Sequence, residues 1–229
     1  MDIVALARNV SSTRGRGPAE YPVSWDEIFS RVESKLRSAW RFGGSSIKRG
    51  DKCITVEGDG LSLDVVPAIR RSSVESDPIE IYSFREGTRR DNYPRTHFKN
   101  GAAKNERTDE SFKPTVRMLK YWASRTLEKS VAPSFYIECA AHEVPDDRYN
   151  RFLPLLFAKV ALTMIEWDRH QVVMSVAGDK DILTNEEWKE SCFDEFKAEL
   201  LPSVSLVLDA INASSQAEAD RLWTKAFGG

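Results

Sequence analysis

The sequence predicts an α+β fold, with a small mixed sheet lobe over residues 1–108 followed by a helical lobe over residues 109–229. Three observations predict it. Up to Phe84, apart from one helical stretch near 24–40, the apolar residues come in short runs of the kind that strands show. After Asp109 they recur every three or four residues over long windows, the spacing of helices. Runs of strands followed by runs of helices, rather than strict alternation, separate α+β from a parallel α/β sheet.

Ile3 to Ala7 reads as a short buried strand with Asp2 at its very beginning. Arg8 to Pro22, rich in Ser, Gly, Arg and Pro, reads as a loop. Ser24-Trp25-Asp26-Glu27 is a capping box that opens a helix to about Trp40, burying Ile28, Val32, Leu36 and Trp40 and ended by Gly43-Gly44. Strands are expected near Ile47, from Cys53 to Glu57 and from Leu61 to Ile69, the last two as an antiparallel hairpin about Gly58-Asp59-Gly60. Ile79 to Phe84 alternates cleanly and reads as another strand.

One acidic residue stands out in the strand Leu61-Ser62-Leu63-Asp64-Val65-Val66-Pro67-Ala68-Ile69. Alternation places Leu61, Leu63 and Val65 on one face, with Ser62, Asp64 and Val66 on the other. A carboxylate in an apolar strand needs hydrogen-bond partners, a cation or water. These residues alone favour an edge strand with Asp64 in solvent; the functional alternative is a carboxylate held rigidly on a sheet to bind a metal.

Arg85 to Thr108 shows neither period and reads as a long loop. Its seven cations, Arg85, Arg89, Arg90, Arg95, Lys99, Lys104 and Arg107, face three anions, Glu86, Asp91 and Glu106. The stretch is either a solvated loop or a positive rim over a phosphate-bearing ligand. Asp109 to Lys129 then reads as a helix with a core stripe of Phe112, Val116, Leu119 and Ala123, and Pro114 tolerated in its first turn. Beside that stripe runs a polar row of Lys113, Arg117, Lys120 and Ser124. Pro133-Ser134 starts a helix through about His142, with Ser134 as its N-cap. Phe152 to His170 is amphipathic, Thr184 to Glu187 is a second capping box whose helix is disturbed at Pro202, and a last helix ends near Trp223.

A net charge of −2 gives no global basic field to recruit long nucleic acid. Cys53, Cys139 and Cys192 are odd in number and widely spaced, which argues against a disulfide framework or zinc site and suits a reducing cytoplasm. No apolar run approaches membrane-spanning length, so no membrane partner is expected. The opening residues do not read as a signal peptide.

Taken together, LSLDVVPAI at 61–69, KN at 104–105, FKPTVRMLKYW at 112–122, PSFYIE at 133–138 and ADRLWTKAFG at 219–228 resemble the nucleotidyltransferases of the cyclic-GMP-AMP synthase and oligoadenylate synthase type. Their many bacterial relatives are the CD-NTases, which make oligonucleotide signals in anti-phage defence. The resemblance implies the nucleotidyltransferase sheet lobe and helical lobe, nucleoside triphosphates as ligands, and Mg²⁺ or Mn²⁺ as cofactor. By residue, it implies that Asp64 is a metal-binding catalytic carboxylate and that Asp2 is a second one. It further implies that Lys120 meets the donor triphosphate, that Ser134 donates to the same phosphates, and that Phe135 stacks on a base. Regulatory or effector proteins are possible partners in such systems. The bland readings stand beside these: Lys120 as a snorkelling surface lysine, Ser134 as a plain cap, Phe135 as core.

The chemistry asks for these residue types. Nucleotidyl transfer is an in-line attack at the α-phosphorus, with two divalent ions about 3.5–4 Å apart on the attacking and leaving oxygens. Mg²⁺ is hard and takes oxygen ligands, hence clustered carboxylates, while cations offset the charge on the leaving pyrophosphate. The family's first strand carries D-x-D after a Gly-Ser turn. Asp2-Ile3-Val4-Ala5-Leu6 resembles only the second half of that motif, and Gly43-Gly44-Ser45-Ser46 lies on the wrong side of the first helix to replace the turn. The expectation is therefore of an amino-terminally shortened synthase, inactive by itself. The alternative is a catalytically incomplete protein that binds nucleotides or acts as a scaffold.

Overall fold

The computed structural model describes the backbone of residues 2–7 and residues 23–39, 46–58, 60–70, 78–149 and 152–229. The loop expected over 8–22, Trp40 and the Gly43-Gly44 stop lie outside the described residues. Two compact units divide the chain, Met1–Arg95 and Thr96–Gly229.

Among its described residues the first unit is a mixed sheet with one helix. Its strands are β1 (Asp2–Ala7), β2 (Ser46–Arg49), β3 (Ile54–Gly58), β4 (Leu61–Arg70), β5 (Ile79–Ser83) and β6 (Thr88–Asn92), and its helix is α1 (Trp25–Ala39). The order is β2-β3-β4-β5-β6, antiparallel throughout, and β1 pairs with β4 in parallel. Asp64 has Thr55 as one neighbour and Asp2 as the other, while Ile69 has Glu80 and Ala7. So β3 and β5 take successive stretches of one edge of β4, and β1 takes the other. Pro67, which has no N–H to give a ladder, falls between those two stretches.

Helix α1 begins as its capping box requires: the Glu27 amide donates to Ser24 Oγ at 3.2 Å. Trp25, Ile28 and Phe29 are buried with Ile54 and Ile69, and Val32, Leu36, Ile47 and Tyr82 pack against them. Val65, Pro67 and Ile69 are buried on the odd-numbered face of β4. Alternation therefore leaves Asp64 on the opposite face from the Ile69 side chain that meets α1.

Residues 85–108 are not a loop. They form a tight turn, β6, and helix α2 (Pro94–Arg107). The turn uses Gly87 at φ 65°, in the left-handed region that glycine enters freely. Asp51 ties it down, accepting from Ser83 Oγ at 2.9 Å and from the Arg85 amide at 2.6 Å. Strand β6 is exposed along its whole length, so burial imposed no alternation on its sequence. Helix α2 buries Gly101, Lys104 and Asn105 rather than an apolar stripe, which is why no helical period is visible there. The two compact units meet at 95/96, so nearly all of α2 lies with the helices that its buried polar residues grip.

The second unit continues with α3 (Phe112–Thr126), α4 (Ser134–Glu143), α5 (Leu153–Glu166), α6 (Glu190–Ile211) and α7 (Gln216–Ala226). Phe112, Val116, Leu119 and Ala123 are all buried, as the stripe predicts. They join Trp122, Ile137, Leu156, Phe157, Trp188, Phe193 and Phe196 in one core. Trp122 Nε1 donates to Ser203 Oγ at 2.8 Å, and Trp188 Nε1 to the Val131 carbonyl at 2.7 Å, so neither buried indole is orphaned.

The helices differ from expectation in several details. Helix α3 starts at Phe112, not Asp109, because Asp109 and Glu110 sit at φ 53° and 62°, outside helical space. Thr184 to Glu187 forms turns rather than a cap; α6 begins at Glu190, whose amide is taken by Asn185 Oδ1 at 2.9 Å. Helix α6 also runs through Pro202 without ending. The lost hydrogen bond, worth about 3 kcal/mol with the ring clash, is outweighed by Phe193, Phe196, Leu200, Val204 and Val207, all buried on both sides of it.

Candidate active site

Asp64 lies in the middle of β4, half-exposed, directly opposite Thr55 of β3. Thr55 Oγ1 donates to Asp64 Oδ1 at 2.7 Å, which supplies the partner that a carboxylate in an apolar strand requires. On the other edge of β4 the parallel register pairs Asp2 with Asp64. The two acidic residues thus occupy neighbouring backbone positions, about 4.8 Å apart as in any ladder. The side chain of Asp2 lies outside the described residues. Among the described residues no group of three His, Cys, Asp or Glu side chains is poised around a metal. By donor type the pair fits a hard divalent ion such as Mg²⁺ or Mn²⁺, which prefers carboxylate oxygens.

Lys120 and Ser134 are brought together in the second unit. Both line a cavity of about 360 Å³ with Ala123, Ser124, Leu127, Glu128, Lys129, Ala132 and Ile137. The cavity lies against the start of α4. Pro133, not Ser134, occupies the cap position, and Ser134 is the first helical residue. That correction follows from the tertiary amide of proline, which cannot donate and so costs nothing in front of a helix. The opening turn of a helix carries amides free of intrahelical partners and a partial positive charge, a setting suited to anions.

Lys120 is not a plain surface lysine. It is half-buried, and its ammonium pairs with Glu138 Oε2 of α4 at 2.5 Å. The other oxygen of Glu138 meets His97 Nε2 of α2 at 3.1 Å. Burial pushes this carboxyl upward, but the hydrogen bonds from His97 and Lys120 outweigh it and hold the group at about 2. An ionised carboxylate only accepts, so His97 Nε2 must carry the proton in this contact. Phe135, 39% exposed, has the His97 ring 5.9 Å away and Lys180 Nζ 5.4 Å from its ring centre. Lys180 is held in turn by Glu187 at 2.8 Å. Phe135 is therefore an open aromatic face flanked by two nitrogen-bearing groups rather than a core residue.

Sequence reading missed His97, Glu138 and Lys180. Lys120 and Glu138 are eighteen positions apart on different helices, so no local spacing rule pairs them. His97 was hidden in a stretch without period.

The KN pair at 104–105 has a structural role. Lys104 is 3% exposed; its ammonium donates to the Val144 carbonyl at 2.6 Å and to Asp146. Asn105 Oδ1 accepts the Lys113 amide at 2.9 Å, and Thr108 Oγ1 accepts that of Phe112 at 3.2 Å, so together they cap α3 from outside it.

Residues 99–201 match the C-terminal helical domain of cGAS/DncV-like nucleotidyltransferases. The chain is 36% identical over 140 residues to a cyclic UMP-AMP synthase of Rhodothermus marinus, a match covering 56% of this chain and 48% of that protein. It superimposes on the solved structure of Rhodothermus marinus CdnE c-UMP-AMP synthase with Apcpp and Upnpp, with a TM-score of 0.62 and 27% identity. That match covers 88% of this chain and 73% of the other. CdnC of E. coli MS115-1, in its complex with HORMA-deltaN, shares the fold with a TM-score of 0.73 at 16% identity, over 100% of this chain and 75% of that one. Over residues 99–201 the chain is similar to the helical domain of the CD-NTases. It spans about half the length of the curated relatives it matches. Among the described residues no helix is long and apolar enough to cross a membrane.

Proposed function

We propose that this chain acts as a metal-dependent nucleotidyltransferase that joins nucleoside triphosphates into a cyclic or linear oligonucleotide second messenger, in the setting of anti-phage defence. The observation that carries the reading is the single cavity lined by both Lys120 and Ser134 at the start of α4. Those are the two residues that the family resemblance assigns to the donor phosphates. Similarity to synthases that make cyclic nucleotides supports it.

On this reading Lys120 offers its ammonium to phosphate oxygens, and the opening turn of α4 adds its amides and the Ser134 hydroxyl. Phe135 gives the base a face to stack on, with His97 and Lys180 beside it. Asp64 and Asp2 would hold the divalent ion, and the Thr55 hydroxyl fixes the Asp64 carboxylate in one orientation. When bound, such an ion stabilises the attacking and leaving oxygens of the in-line displacement. Which nucleotides are joined follows from this reading only as a class: any base that stacks on Phe135.

Calorimetric titration of the protein tests it. A nucleoside triphosphate should bind more tightly than its monophosphate, and Lys120→Ala should reduce that difference by roughly tenfold. Any Mg²⁺-dependent oligonucleotide product must disappear in Asp64→Asn. Equal affinity for mono- and triphosphate, or turnover that survives Asp64→Asn, would refute the assignment.

A further inference from the structure

Lys120 carries a counter-ion before any phosphate arrives. Glu138 Oε2 sits 2.5 Å from its ammonium, and Glu138 Oε1 is held by His97 at 3.1 Å. The carboxylate is thus gripped from α2 and α3 while it projects from α4, and its side chain keeps 26% of its surface. The surrounding charges nearly balance: Lys129 and Glu128 line the same cavity, and Lys180 is neutralised by Glu187. Lys120 is therefore the cation best placed for a phosphate, and it is already occupied.

We propose that Glu138 is a built-in counter-anion of the phosphate subsite, competing with phosphate oxygens for Lys120 and so setting the site's affinity for the polyphosphate group below what Lys120 alone would give. The inference rests on the reading of Lys120 as a phosphate contact. An ammonium has three donors, so Lys120 keeps one on Glu138 and turns the others to phosphate. Each donor held on Glu138 is one for which phosphate must compete, and in a half-buried setting that ion pair is only partly screened. The consequence for a transferase is chemical. The donor triphosphate has further contacts through its base, whereas the released pyrophosphate has only its charge. A resident carboxylate therefore weakens both by a similar factor, and the product, which has no base contacts to hold it, departs the faster.

Inorganic tripolyphosphate and pyrophosphate, which have no base, are the probes. Glu138→Gln keeps the shape and one acceptor but removes the charge. It should bind both probes about tenfold more tightly than wild type. In the Lys120→Ala background the same substitution should change nothing, since Glu138 acts through Lys120. If Glu138 merely positions Lys120, Glu138→Gln binds the probes more weakly, and the proposal is overturned. A gain that persists without Lys120 overturns it equally, because the charge would then be acting on the whole unit. Absence of binding in wild type and variant alike, or wild-type binding untouched by Lys120→Ala, refutes the phosphate reading itself. An unchanged circular dichroism spectrum and a cooperative unfolding transition confirm that each variant is folded.

Discussion

Replacing Lys104 by methionine removes a buried ammonium while keeping most of the side-chain volume. Its donors satisfy the Val144 carbonyl at 2.6 Å and Asp146, and Tyr149 lies under it with the ring centre 5.1 Å from Nζ. Val144 is fully buried, so its carbonyl has no water to turn to and the orphaned acceptor costs about 1–3 kcal/mol. Asp146 is less affected: it is partly exposed and keeps Arg107 at 2.8 Å. Against these losses, methionine escapes the desolvation of a buried charge, which recovers part of the energy. The net expectation is a destabilisation of about 2 kcal/mol, or about 4–8 °C in midpoint for a unit of this size. Urea denaturation followed by the fluorescence of buried Trp122 and Trp188 measures it. A variant within about 0.5 kcal/mol of wild type would refute the reasoning, because it would mean that the ion pair and an apolar filling are equivalent here.

Asn105→Ala should cost about 1–2 kcal/mol, since it uncaps Lys113 and frees a turn in which Asp109 and Glu110 hold left-handed backbone; a change below about 0.5 kcal/mol would assign the cap to Thr108 alone. Acid stability carries a signature of Glu138. Its folded carboxyl lies at about 2, below the ordinary 4.5, so its contribution is complete above about pH 4.5 and is lost as pH falls toward 2. Glu138→Gln should flatten the fall in stability across that window, and an unchanged slope would contradict the pairing. Burial pushes the Cys139 thiol up to about 12, whereas Cys53 and Cys192 are only partly covered. At pH 8 two thiols should therefore react with a disulfide reagent and the third only after unfolding; three equal rates would overturn this.

Elements that bury an apolar face were legible because burial writes a period into the chain. The stripe Phe112, Val116, Leu119 and Ala123 and the capping box at Ser24 fall where their spacing puts them. The alternation that set Asp64 apart from Val65 is likewise the alternation observed in β4. Strand β6 and helix α2 were illegible for the complementary reason. One is exposed throughout, and the other buries a lysine and an asparagine whose partners, Val144, Asp146 and Lys113, come from elsewhere in the chain.

By itself the sequence determined the order of sheet and helices, and it singled out side chains whose type suits a hard metal or a phosphate, in the pattern of a family it resembles. Only the tertiary structure decided which of them meet. It placed Asp2 level with Asp64 across a parallel ladder, gathered Lys120 and Ser134 at one cavity, and put Glu138 between Lys120 and His97. The physical reason is range. Periodicity and capping act within a few residues, whereas a hydrogen bond between residues eighteen or forty-one positions apart exists only once helices have packed and fixed both ends.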